Sequence, residues 1–385
     1  MQIAPLLLPL LQAGSAPLSA PPPPSSSDDA PAVSLELSYT AEGDINASGG
    51  VRRSTRYLDN LSVAAEVAPS RFSAWKRSTI RVSLLYNNGN SIGALAGDGH
   101  GVSNIETGVR ALRLYDAWLE QRWGRGSLRV GLYDVNSEFD ALENAKLFVD
   151  SAFGIGTDIG QTGKNGPSIF PVTSLAVRTA YRWKSNVILR AAVTDGVPGE
   201  PEHPRRTAVR LTGDDGVFAI AEADLSLGGA RLLIGHWAYT SRFDIVTGGT
   251  GRGNAGTYIR GEGDLLHRGA TTLSGFFRLG TASARFNQFD RFVSAGLHAV
   301  GLFPARPQDE AGLAFSTGFT TSGFRRLFGA SRSETTIEAT YRLVPRPEFS
   351  LQPSVRYIVN PGAGPASSHA LVISLRASAT FRILK

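Results

Sequence analysis

Sixteen short stretches of alternating apolar and polar residues, separated by gaps that are in turn long and short, constrain this 385-residue chain more than any motif does. Alternation puts successive side chains on opposite faces of an extended strand. The stretches lie near 33–40, 58–67, 78–86, 114–123, 127–133, 172–183, 187–194, 217–225, 230–239, 257–262, 271–279, 292–302, 311–320, 334–343, 348–357 and 370–381. The gaps after odd-numbered stretches are long, at 41–57, 87–113, 134–171, 195–216, 240–256, 280–291, 321–333 and 358–369. Gaps after even-numbered ones are mostly short, as at Gly124–Gly126, Lys184–Asn186, Ser226–Gly229 and Val344–Pro347; those at 68–77, 263–270 and 303–310 are intermediate. Long loops on one rim and short turns on the other are the pattern of bacterial outer-membrane barrels. The predicted fold class is all-β, a transmembrane antiparallel barrel of about 16 strands.

The two faces of the strands point the same way. In the last strand Leu371, Ile373, Leu375, Ala377, Ala379 and Phe381 share one side, and Ser374, Arg376, Ser378 and Thr380 the other. Near 334–343, Ile337, Ala339, Tyr341 and Leu343 oppose Thr336, Glu338, Thr340 and Arg342. An apolar interior suits roughly eight strands, whereas about 16 enclose an aqueous channel. The apolar face should therefore look outward, with Tyr39, Tyr181, Trp183, Tyr239, Tyr341 and Tyr357 at strand ends as an interfacial girdle. A soluble barrel with the inverse orientation is the rival on alternation alone.

One gap stands apart. Glu138 to Pro171 is the longest segment without alternation, with a helical pattern over Phe139–Val149 and then Gly-rich sequence. Loops this long in compact folds are usually functional or disordered. This one carries apolar anchors that disorder would not need: Phe139, Leu142, Leu147, Phe148, Phe153, Ile169 and Phe170. It is expected to fold into the barrel as a constriction over 138–171, against the plainer expectation of a surface loop.

Residues 1–20 read as a signal peptide, with an apolar core over Ile3–Leu11 and small residues after it, although no Lys or Arg precedes Arg52. Residues 21–32 read as a Pro/Ser-rich linker, which leaves 33–385 for the barrel. No run of about 20 apolar residues occurs after the N-terminus, so a membrane assignment must rest on strands. The chain has no Cys, which removes disulfides and thiolate metal sites. The formal charge is +6, but the 39 basic residues recur singly beside acids, which argues against a nucleic-acid surface. Gly251–Gly256 matches GxGxxG, yet a strand rather than a helix follows it. The 6 His show no paired metal spacing, and there is no GxSxG elbow. No cofactor, metal or catalytic residue is expected.

The residues resemble the carbohydrate-selective porins of the OprB type. The resemblance is carried by Asp116–Glu120, Leu128–Asp140, Phe148–Gly154, Gly166–Pro171, Val193–Gly196, Phe276–Gly280, Ala295–Asp309, Gly312–Ser316, Glu334–Tyr341 and Leu351–Gly362. It implies a Gram-negative outer-membrane location, a sixteen-stranded barrel and a narrow polar eyelet that passes sugars. Three departures stand out. The family's Gly-Arg-Pro-x-Asp turn appears as Ala305–Asp309, the chain is short for the family, and Phe381 is followed by four residues where such barrels usually end on an aromatic.

A channel for neutral, hydroxyl-rich sugars needs donors, acceptors and an apolar ring face. The inferred lumen face supplies Arg81, Asp116, Glu120, Arg122, Arg129, Arg178, Arg182, Arg190, Glu222, Arg278, Glu338, Arg342, Arg356 and Arg376, with Asp224, Arg260 and Glu262 beside them. Trp118 shares a face with Asp116 and Glu120 and is the expected stacking platform. For each, bracing the wall is the alternative role. The expected function is passive diffusion of carbohydrates, with a general or anion-preferring pore as the alternative. An outer-membrane lipase and a secreted β-rich binding protein are further rivals. Expected partners are sugars as permeating solutes, outer-membrane lipid and the barrel-assembly machinery; no nucleic acid is expected, and a homo-oligomer stays open.

Overall fold

A computed structural model describes residues 33–69, 76–365 and 368–384. The expected signal peptide and linker lie outside the described residues. The strands are β1 Val33–Ser48, β2 Ser54–Val67, β3 Ser78–Asn87, β4 Ala111–Trp123, β5 Gly126–Tyr133, β6 Ser174–Lys184, β7 Val187–Asp195 and β8 Val217–Leu227. They continue as β9 Ala230–Tyr239, β10 Ala255–Arg268, β11 Thr271–Ala282, β12 Phe289–Val300, β13 Glu310–Thr320, β14 Ser333–Arg346, β15 Phe349–Val359 and β16 Ala370–Leu384. Each pairs antiparallel with its sequence neighbours, and β1 pairs with β16 from Ser34 opposite Leu384 to Ser48 opposite Leu371, which closes the barrel. A ribbon of Phe243–Asp244 with Thr250–Gly251 decorates the β9–β10 loop. The GxGxxG match therefore ends in a strand, with Gly256 inside β10.

All sixteen expected strands are present. The largest boundary error is at β1, which runs on to Ser48 and not to residue 40. Gly43 in Glu42-Gly-Asp44 suggests a turn in the sequence, but the alternation continues: Glu42, Asp44 and Asn46 are buried, whereas Gly43 and Ile45 are exposed.

The faces are arranged inside out relative to a soluble barrel. Ile373 and Leu375 of β16 are exposed while Ser374 and Arg376 between them are buried. Val130 and Val177, cross-strand partners on β5 and β6, are exposed while their neighbours Arg129 and Arg178 are buried. Apolar side chains outward are stable only where hydrocarbon is the solvent. Trp123, Tyr181 and Trp183 stand exposed at the short-turn rim, where an interfacial girdle belongs. Tyr239 departs from expectation: it points inward and is buried against Phe218, Trp237 and Phe243.

That departure has a cause. The inner wall is apolar where the third long loop rests on it. Ile155 and Ile159 of the loop join Phe218, Trp237 and Tyr258 in one cluster. Leu142, Leu147, Phe148 and Phe153 join Leu233, Phe276 and Ala314 in another. All seven expected anchors, from Phe139 to Phe170, are buried. The helix expected over Phe139–Val149 does not form. The loop makes single turns at Val135–Ser137, Asn144–Leu147, Ser151–Gly154 and Thr157–Gly160. Asp140 sits at φ 53°, which no right-handed helix can pass through. The backbone amides that a continuous helix would use are instead bonded to the wall: Asn144 N–H to Glu262, and Val149 and Asp150 N–H to Glu338.

Because the exposed face of β5 meets hydrocarbon, Val130→Arg should cost about 2–4 kcal/mol of folding free energy. Urea titration of the protein in lipid vesicles measures it; a cost near zero would contradict the orientation of this face.

Candidate functional site: the lumen wall and its loops

Strand parity aims the charged residues inward, and the loops between the strands meet them there. On β4, Glu120 accepts from Arg129 Nη2 at 2.6 Å, Arg122 Nε at 3.0 Å and Arg178 Nη2 at 3.4 Å. Arg178 also binds Glu138 of the third loop at 2.7 Å and Ser127 Oγ at 2.7 Å. The Arg129 guanidinium lies 3.9 Å from the Trp118 ring centre and 5.0 Å from that of Tyr133. Trp118 is only 6% exposed. The stacking face expected at Trp118 is therefore covered by a cation–π contact within the wall.

The second group pins the loop across the barrel. Asp140 meets Arg278 Nε at 2.8 Å and Arg260 Nη1 at 2.9 Å. Arg278 also binds Asp158 at 2.6 Å. Glu222 accepts the Asp140 N–H at 3.0 Å and the Tyr258 hydroxyl at 2.6 Å. Two glycines make room for this contact. A Cβ on Gly156 would stand 2.1 Å from Arg278 Nη1, and one on Gly280 2.2 Å from Asp158 Oδ2. Farther round, Gln352 donates to Leu147 O at 2.6 Å, and His298 Nδ1 meets Asn144 Oδ1 at 3.0 Å. The third loop thus contacts inward side chains of β8, β10, β11, β12, β14 and β15.

The second long loop is held by the seam. Arg356 binds Asp44 at 2.8 Å and donates to Val102 O. Arg376 binds Glu42 at 2.5 Å and Asn104 Oδ1 at 2.8 Å. Glu334 accepts Gly99 N–H at 2.8 Å and Gly362 N–H at 2.7 Å, which ties the second and eighth long loops together. Within the second loop Glu106 accepts from Ser91 Oγ and Gly93 N–H. Burial, with Asp98 adding like charge, pushes its carboxyl up to about 7. Glu138 goes the other way. Burial would raise it, but Arg129 and Arg178 more than offset that and hold it at about 2.

The expected lumen residues therefore separate into two sets. Asp116, Trp118, Glu120, Arg129, Arg178, Glu222, Arg278, Glu338, Arg356 and Arg376 are buried braces, as are Asp224 and Arg260. Arg81, Arg122, Arg182, Arg190 and Arg342 keep accessible surface in the turn-side half of the barrel. Arg122 and Arg342 side chains are 38% and 32% accessible. Sequence reasoning missed Arg231, Glu143 and Lys146 in this open set; Glu143 and Lys146 side chains are 65% and 31% accessible, and they pair at 2.7 Å. It also missed Glu42, Asp44, Asp140 and Asp158 among the braces. Continued parity would have found Glu42 and Asp44, whereas loop residues carry no parity.

A closed barrel with an apolar outside, a charged inside and a long loop reaching the inner wall defines an outer-membrane diffusion channel. Residues 52–381 match the family described as carbohydrate-selective porin, OprB family, and the chain belongs to it. Porin B of Pseudomonas aeruginosa is 20% identical over 398 residues, covering 90% of this chain and 87% of that protein. The high-pH structure of Pseudomonas putida OprB superposes with a TM-score of 0.81 at 18% identity, covering 91% of this chain and 94% of that one. The low-pH structure of the same protein gives 0.58 at 16% identity, covering 91% and 93%. The channel DcaP of Acinetobacter baumannii gives 0.56 at 11% identity, covering 92% and 99%. The protein is thus a carbohydrate porin of the Gram-negative outer membrane and not an enzyme.

Asp140→Ala would leave Arg260 and Arg278 buried with one counter-charge fewer, at a cost of about 3–5 kcal/mol. The urea midpoint in detergent measures this, and an unchanged midpoint would deny the brace. The two loop carboxylates titrate with opposite sign. The folded pKa of Glu106 is raised, so its contribution is complete below the ordinary value of 4.5 and lost as pH rises through about 7. That of Glu138 is depressed, so its contribution is complete above 4.5 and lost as pH falls through about 2. Single-channel current noise should therefore grow between about pH 5 and about pH 8, and Glu106→Gln should flatten that rise.

Proposed function

We propose that sugars cross through the turn-side half of the lumen and past the third loop, which narrows the channel over 138–171. The observation that carries this is the division of the lumen charges. Most are spent on one another, whereas Arg81, Arg122, Arg182, Arg190, Arg231, Arg342 and Lys146 keep accessible donors. Lys146 pairs with the accessible Glu143 at 2.7 Å, and Arg342 pairs with Glu310, so donors and acceptors lie side by side. That pairing suits vicinal hydroxyls, which give and receive together. Among the described residues all of these accessible cations but Arg182 have a carboxylate within 4.0 Å, which weakens the field that would select ions. Arg129 and Trp118 act in this scheme as wall, not as contacts for the solute.

The excess of accessible cations supports a second reading, a general pore that prefers anions. Outer-membrane lipid would surround the barrel, and the barrel-assembly machinery would receive it through the strand that bears Phe381. Homo-oligomers are compatible with this scheme and not required by it.

In a planar bilayer, mono- and disaccharides should block single-channel current, and Arg190→Ala should weaken the block about tenfold, near 1.4 kcal/mol for a charged hydrogen bond. Arg129→Ala should lower stability more than it changes block at a given sugar concentration. Marked anion selectivity in reversal potentials, with no block by any sugar, would overturn the sugar path in favour of general diffusion.

A further inference from the structure

An apolar groove of about 990 Å³ opens on the outer face of the barrel over β9 to β14. That is the upper end of the roughly 300–1,000 Å³ of clefts that hold small ligands. Gly263 pairs with Ala230 on one side and with Gly275 on the other, so three adjacent outward positions carry at most a methyl group. Phe277, Leu297, Leu313 and Phe315 stand exposed around this floor. The depth depends on the absence of side chains there. A Cβ on Gly261 would lie 2.4 Å from the Phe277 ring, and one on Gly275 3.0 Å from Leu265 Cδ1.

The groove has a charged mouth. Ala230 directly follows the Gly228–Gly229 turn, which places the floor toward the short-turn, periplasmic rim. There β10 passes a bulge between Asp264 and Leu266, and both Leu265 and Leu266 are exposed. Two positions beyond Leu266, on the same face, Arg268 is exposed, and among the described residues no acceptor bonds its guanidinium. Five residues of strand separate Gly263 from Arg268, roughly 16 Å at the usual rise.

We propose that this groove holds one acyl chain of a phospholipid from the periplasmic leaflet, with the lipid phosphate on Arg268. Three observations converge on that occupant. The outward face of a membrane barrel meets hydrocarbon. A flexible single chain fits a floor of three adjacent strands, two strand spacings or roughly 9.5 Å across, whereas a second convex barrel would bridge over it. Finally, a lone guanidinium at the leaflet boundary complements a phosphate and nothing else in the membrane as well.

The test is native mass spectrometry of the whole protein in detergent, with phosphatidylglycerol, diacylglycerol and inorganic phosphate added separately. The wild type should retain one phosphatidylglycerol and no diacylglycerol, and phosphate alone should not bind. Ala295→Leu, which fills the groove beside the floor, and Arg268→Gln, which removes the charge, should each release the lipid at least about fivefold more readily. Both substitutions face outward, so single-channel conductance should be unchanged and reports that the barrel is folded. Equal retention by all three proteins, retention by none, equal retention of diacylglycerol, or binding of phosphate alone would overturn the proposal. So would a dimer that Ala295→Leu abolishes, which would make the groove an interface between copies.

Discussion

The structure depends first on the pairing of β1 with β16. In hydrocarbon an unpaired backbone N–H or C=O costs several kcal/mol, so an open sheet edge is not an option. The seam runs almost the full length of both strands, with one irregularity between Asn46 and Ser48. It therefore brings together residues more than three hundred positions apart, and the charges that close the seam on the inside are Glu42, Asp44, Arg356 and Arg376. Closure and the anchoring of the second long loop are thus one event, because the same two arginines also reach Val102 and Asn104.

Once the ring is closed, parity assigns the faces, and the lumen inherits more charge than any solute path can use. Most of it is neutralised internally. A buried ion pair contributes little net stability, because desolvation offsets the attraction. The value of Asp140 between Arg260 and Arg278 is therefore positional: it fixes a loop at one height and in one orientation. Apolar contacts would hold the loop as firmly but would not specify its register. The loop uses both, with Leu142, Phe148 and Phe153 on an apolar patch of wall and carboxylates at the ends of that patch.

The fold was almost wholly legible in the sequence, because alternation is a local signal and each strand repeats it. Its failures are informative. β1 looked short because Glu42 and Asp44 are acids beside a glycine, which reads as a turn until closure supplies Arg356 and Arg376 opposite them. Tyr239 looked like a girdle residue because parity tells which residues share a face but not which face is wet, and β9 carries apolar residues on both. The lumen face was legible as a set, but not its division. Nothing local distinguishes Arg129, stacked on Trp118, from Arg122 two strand positions from a turn. That difference is made by Glu138, which reaches Arg129 from a loop without periodicity.

The same division bears on selectivity. A wall lined evenly with free arginines would present a strong positive field, and anions would outcompete neutral solutes for it. Here the strongest cations are consumed by Glu120, Asp140, Asp158 and the seam acids, and of those left open Arg190, Arg231 and Arg342 stand beside Asp224, Glu262 or Glu310. Such pairs carry little net charge but keep oriented donors and acceptors in fixed places. A solute gains from them only if it can donate and accept at once over a few ångströms, which a polyhydroxylated ring does and a simple ion does not. The charges that brace the loop thus also set what the remaining charges can recognise.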